Sequence, residues 1–559
     1  MSIRHRVHRV LYVPLDDRPC NVSHVQLLAR MVDYELLMPP TELLGHFTQP
    51  GDADAIATWL QREAADGPVD CAVLSLDMLA YGGLVASRST DVRTQTALER
   101  LQVLAELRKR LPDSAIYAFS AIMRLSITAT SDATAAHWQL LREYSELQGR
   151  VEALGEEDDA ARLDELKREL PAPLLGKYEA CRDRNHQVNA RAVEATTDGA
   201  IDYLVLCQED AAQYGPHVKE QEQLRQLIRR HGIERRAQIH PGADEMGQSL
   251  FARFLHQHME KVPRAYVMYA NPNDAGNIAR FEDRPYTDTL RGQMQTVGVE
   301  LSDNPATADF VLAINPPVNG TRADYADGDA LKKRAAQAKE FFSNIGRSAG
   351  DRRIAVCDVA FPNGAEDCFV EAMLAQDLPL KRLLSFSAWN TAANSTGSAL
   401  AHASLRLIAL QDKGAFDLAN LLVDLSPMRY LQLLDTLIDS ERAHIALLLY
   451  HFADDWLYQT RVRPQVTEHV VTMLRASIFD LAESCGRVQG MVSDQMVRAI
   501  SDVWTTYFLG KQSVLIGPRE AATSLALAEL EETRVTLPWG RLFEVDLNLK
   551  FGVELVADQ

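Results

Sequence analysis

The chain has 559 residues, 47% hydrophobic and 24% charged, a globular composition that excludes global disorder and is too long for one ordinary core. Its 77 acidic against 58 basic side chains give a formal charge of −19, which excludes general binding to nucleic acid or anionic membrane, since both need basic surfaces. Seven cysteines lie far apart with no C-x-x-C pair, so a zinc ribbon, a dithiol redox site and a disulfide framework are unsupported.

The basic segment Met1 to Val10 runs into an apolar strand that Asp16 and Asp17 interrupt before signal-peptide length. No stretch reaches the roughly 18 to 20 apolar residues that span a bilayer, so the chain is expected in the cytoplasm. Short apolar runs then recur, each followed by a turn and a helical stretch. They are Val10 to Leu15, Glu35 to Met38, Cys71 to Leu76, Ala115 to Ile122, Tyr203 to Cys207, Ala237 to His240, Ala265 to Ala270, Phe310 to Ile314, Ile354 to Val359 and Leu383 to Ser387. Continuous apolar runs between helices mark strands buried on both faces, so residues 1–410 are expected to be α/β with mostly parallel strands. Ten strands fit either a decorated TIM-like barrel or two doubly wound lobes dividing near residue 260.

Between 134 and 195 the rhythm breaks into polar, helical sequence with Gly155, Pro171 and Pro173 as breakers, which predicts an inserted helical hairpin serving as a solvated arm or a homodimer contact. Residues 411–530 have helical apolar spacing, notably Leu421 to Leu449 and Val466 to Leu481, and predict a helical domain. Period-two alternation at Leu547, Leu549, Phe551, Val553 and Leu555 predicts a terminal strand pair in residues 531–559.

Ligands in parallel α/β folds gather where strands end. The residues at those places are Asp16-Asp17-Arg18, Asp77 with Tyr81 and Arg88, Arg124, Glu209-Asp210, Asp244-Glu245, Asn273, Asp358 with Asn363, and Trp389-Asn390 with Asn394. A single Asp or Asn after a strand is ordinarily a helix cap. Three tandem acid pairs are another matter, because adjacent carboxylates repel unless a cation, a polar ligand or a shared proton holds them. Paired carboxylates with Arg, Tyr, Trp and Asn suit glycoside hydrolysis, with Glu209 and Asp210 as the catalytic pair and the other residues binding substrate. Many acids and few histidines in these loops leave a Mg or Mn enzyme, or a non-catalytic metabolite-binding protein, as alternatives. No cofactor is otherwise expected, and the expected partner is a sugar or other small molecule. Walker, G-x-G-x-x-G, G-x-S-x-G and H-E-x-x-H motifs are all missing, which removes their chemistries.

Across these strand ends the sequence resembles a bacterial family known only as domain of unknown function family 4127. The resemblance rests on Val13 to Asn21, Leu76 to Leu84 with Ser87-Arg88, Arg184-Asn185, Gln208 to Ala211 with Tyr214-Gly215, and Pro241 to Glu245. It continues through Asn363-Gly364, Trp389-Asn390-Thr391 with Asn394, and Pro538-Trp539 with Phe543-Glu544. The family carries two Asp where this chain has Glu209-Asp210. The resemblance implies a family and no activity. An acid pair after a strand is also similar to that of substrate-assisted N-acetylhexosaminidases, which by analogy makes Asp210 the polariser and Glu209 the acid.

Overall fold

The computed structural model describes residues 8–348, 352–376, 379–414, 426–516 and 523–557. Part of the helical expectation that begins at Leu421 therefore lies outside the described residues. Every one of the ten apolar runs forms a strand, and these strands build two open parallel sheets. The first contains β1 (Arg9–Val13), β2 (Glu35–Leu37), β3 (Cys71–Ser75), β4 (Ala115–Ile122), β5 (Tyr203–Gln208) and β6 (Ala237–Pro241), in the order β2-β1-β3-β4-β5-β6. The second contains β7 (Arg264–Tyr269), β8 (Glu300–Leu301), β9 (Phe310–Asn315), β10 (Arg353–Asp358) and β11 (Leu383–Ser387), in the order β8-β7-β9-β10-β11. Both sheets thus begin with the same doubly wound sequence: first strand, outward to the second, then back past the first to the third. That reversal opens a crevice between the first and third strands, at their carboxyl ends.

The residues divide into two compact units. One gathers residues up to Ser23, Glu35–Phe254 and Arg280–Thr296; the other gathers His24–Tyr34, Leu255–Ala279 and the described residues from Val297 onward. In the first unit, alternate strand residues (Leu11, Val13, Ala72, Leu74, Ile116, Ala118, Leu204, Leu206) face one layer of helices, which contributes Ile56, Trp59, Leu60, Leu107, Val188 and Ile228. Period-two side-chain alternation in a sheet covered on both faces explains why these runs are apolar throughout. In the second unit Val311, Ala313, Ile354, Val356 and Phe386 share a core with Phe341, Phe342 and Phe369. The same core includes Trp456, Trp504 and the C-terminal strands.

The segment expected as a hairpin is three helices, Asp132–Leu154, Glu157–Glu169 and Ala172–Thr197. They have a small core of their own, with Leu141, Tyr144, Leu147, Leu166, Leu170 and Tyr178. Gly155 ends the first of these helices in the left-handed region, at φ 70°. The expectation of helix as far as 530 needs correction. Strands β12 (Gln512–Ile516) and β13 (Thr523–Thr536) precede β14 (Asp546–Ala557), and the three form an antiparallel sheet.

Candidate functional site

In the first unit the carboxyl edge of the sheet is built from ion pairs. Arg18, after β1, lies buried between two acids: its guanidinium donates to Asp16 at 2.7 Å and to Asp244 at 2.5 Å. Asn21 also donates to Asp16, at 2.8 Å. Asp17 points elsewhere and is 2.7 Å from His46. Two further pairs join the acids after β5 to arginines that follow β3 and β4. Arg88 donates to Glu209 and, at 2.7 Å, to the Thr128 hydroxyl; Arg124 pairs with Asp210 and lies 3.8 Å from Glu209. The expected catalytic pair is therefore clamped by two arginines that enter from different strand-end loops.

Asp77 differs from these. It lies in the first turn of a short helix, Leu76–Tyr81, directly after β3, beside the crevice. One of its oxygens accepts the Ala121 N–H at 2.8 Å, and the other, fully buried, has no hydrogen-bond partner. Burial pushes its pKa up to about 7, against the pull of the Ala121 N–H, Arg88 and Arg184. Glu245 is pushed up further, to about 8, again by burial. Its carboxyl accepts the Ala243 N–H and the Gln293 amide. A Cβ on Gly242 (φ 144°) would stand 2.1 Å from that carboxyl, so the approach requires glycine. Burial raises the Cys207 thiol, and Asp77, Glu245 and Asp244 all push it further, which puts the three acids within reach of one strand end. Tyr81 is buried with its ring 4.4 Å from the Arg184 guanidinium.

The remaining expected residues belong to the second unit. Asp358 ends β10 and accepts from Asn315 at 2.9 Å and from the Glu366 N–H at 2.7 Å; burial and then Glu366 lift it to about 7. Arg334 fixes Glu366 in turn. Asn363 and Asn390 both adopt positive φ, 57° and 63°, and the Asn363 N–H donates to the Asn390 carbonyl at 2.8 Å. Trp389 and Asn394 are buried, whereas Asn273 is exposed in a turn capped by Asn271. Among the described residues no group of three or more His, Cys, Asp or Glu is arranged to hold a metal ion, and no helix is long and apolar enough to cross a membrane.

A family model described as "Protein of unknown function (DUF4127)" matches residues 10–548. The chain belongs to that family. No curated protein matches it. In this DUF4127 member several residues that act on the site escape sequence reasoning. Thr128 completes Arg88 and Gln293 completes Glu245, each through one hydrogen bond. Asn21 and Arg184-Asn185 were visible in the family motifs. Arg184 grips the carbonyls of Ser87, Ser89 and Val92, the loop that carries Arg88. Arg182 likewise holds the carbonyls of Met123 and Arg124, and is itself anchored on Glu220. For Arg182 the only sequence signal is a run of polar residues in a helix that also carries buried apolar ones.

Proposed function

We propose that this protein is a carbohydrate-active hydrolase of the glycosidase kind, acting in the cytoplasm on a small hydroxylated substrate through the strand-end carboxyls of its first unit. The observation that carries the reading is Asp77: a buried carboxyl, pKa about 7, with one oxygen unpartnered, within electrostatic reach of Arg88, which also binds Glu209. A carboxyl that burial keeps protonated near neutral pH is suited to the role of general acid. On this reading Asp77 donates the proton to the leaving oxygen. Asp210 and Glu209, paired with Arg124 and Arg88, stabilise or attack the oxocarbenium-like carbon. This moves the proton donor from Glu209, whose carboxylate already accepts from Arg88. The partners are small polar molecules rather than nucleic acid or membrane, and any homodimer is incidental to the chemistry.

The test is turnover of a panel of nitrophenyl glycosides by the full chain, with and without EDTA. Asp77→Asn is expected to lower kcat by about 10²- to 10⁴-fold, the usual worth of a general acid, and Asp210→Asn to lower it at least as far. Both should leave the melting temperature within a few degrees. Turnover that EDTA abolishes and Mg²⁺ or Mn²⁺ restores would move the chemistry to a metal. A fully active Asp77→Asn would remove Asp77 from the reaction.

A further inference from the structure

The antiparallel sheet near the C-terminus has two unlike edges. At one edge β12 is five residues long, and its buried Ser513 donates a hydroxyl bond to Glu441 on the helix Pro427–His451. At the other edge β14 runs for twelve residues and pairs with β13. Among the described residues, no main-chain group on its outer side has a main-chain partner. Both register shifts of the ladder put the extra residue in β13, so β14 keeps a regular edge. Folds that must stay single block such an edge with proline, like charges or a short strand. β14 has no proline, and beyond Asp546 its charges are one lysine and one glutamate.

Alternation divides β14 into two faces. Leu547, Leu549, Phe551 and Val553 lie on the face that joins the core of the second unit, and Leu555, next on that face, is 46% exposed. Asn548, Lys550, Gly552 and Glu554 share the other face. Across the ladder Lys550 stands opposite Glu532, with its ammonium 2.5 Å from that carboxylate. Glu554 stands opposite Ala526 and, among the described residues, makes no ion pair. The two charges are placed symmetrically about Gly552. A second β14 laid antiparallel to the first, with a twofold axis through Gly552, sets Lys550 of each copy opposite Glu554 of the other. Leu549 then stands opposite Leu555, and Phe551 opposite Val553. Of the antiparallel self-pairings, only this register sets both charges against opposite ones.

We propose that β14 is a homodimer interface, in which a second copy of this chain adds its own β14 edge to edge, antiparallel about Gly552. The two three-stranded sheets become one continuous sheet. Each Glu554 gains a cation, and each exposed Leu555 packs beside Leu549 of the other copy, the cross-strand contacts that stabilise a ladder. The interface is independent of the hydrolase reading.

Sedimentation velocity of the full chain over a range of concentrations tests it. A monomer–dimer equilibrium is expected. Glu554→Lys sets lysine against lysine at both crossings, and Lys550→Glu sets glutamate against glutamate. Each should raise the dimer dissociation constant by about tenfold or more. An equimolar mixture of the two variants should associate as the parent does, because every crossing then joins lysine to glutamate again. Both positions are exposed, so the melting temperatures should match the parent's. The proposal is overturned if the parent is monomeric at every concentration, or if the mixed variants stay apart. A dimer that neither single variant weakens also overturns it and places the contact elsewhere on the chain.

Discussion

At the scale of single residues, the first unit depends on charges that water does not screen. Arg18 is 5% exposed and sits between Asp16 and Asp244, which are 6% and 4% exposed. Removing one member of such a set costs far more than the set contributes, because it leaves buried charge without a partner. Arg18→Met should therefore destabilise the chain by about 3–5 kcal/mol, read as a fall in the urea midpoint. Adding Asp16→Asn and Asp244→Asn to the same variant should restore most of the loss, since no uncompensated carboxylate then remains. An unchanged midpoint in Arg18→Met would mean that water reaches the cluster.

At the scale of elements, the helix Ala172–Thr197 brings both active-edge arginines into position without touching the acids itself. Arg184 spreads its guanidinium over three carbonyls of the loop bearing Arg88, and Arg182 over those of Met123 and Arg124. A lysine has no planar fork to span three acceptors. Arg184→Lys should accordingly raise amide hydrogen exchange in residues 86–93 by roughly tenfold, equivalent to about 1.4 kcal/mol of lost local stability. Exchange in β4 should stay as it was, and a uniform rise in both would point to global weakening. Such bonds join residues 58 to 97 positions apart, so the sequence could name Arg88, Arg124, Glu209 and Asp210 but not pair them. The strands were legible because burial on both faces leaves an apolar run. Glu300–Leu301 was not, being two exposed residues at a sheet edge. Thr523–Thr536 was hidden by its helix-forming Ala, Leu and Glu, whose local preference is overridden by pairing along β14.

For the whole molecule, buried titratable groups set the pH dependence of stability, and they act in opposite directions. Burial holds His217 and His240 down to about 4 and, helped by neighbouring histidines, holds His24 and His402 well below 6.5. Below pH 6.5 the unfolded chain takes up protons that the folded chain refuses at these sites. Their contribution is full above pH 6.5 and is lost as the pH falls toward 4. Burial raises Asp77 and Asp358 to about 7 and Glu245 to about 8, so here the folded chain holds protons that the unfolded chain releases near pH 4. Their contribution is full below that value and is lost as the pH rises through 7 to 8. Between pH 4 and 6.5 the two sets oppose each other. Above 6.5 the unfolded histidines lose their remaining protons, a gain of about 0.4 kcal/mol each for the fold, and the acids change by more in the opposite direction. Stability should therefore fall from pH 6.5 to 8.5, with the acids contributing about 1 kcal/mol each for Asp77 and Asp358 and about 2 kcal/mol for Glu245, read as a declining melting temperature at constant ionic strength. Asp77→Asn and Glu245→Gln should each flatten the decline, because an amide keeps the neutral shape and has no proton to lose. A melting temperature that climbs over this interval would mean that Asp77, Asp358 and Glu245 ionise as readily in the fold as in water, and the proton donor proposed for catalysis would lose its physical basis.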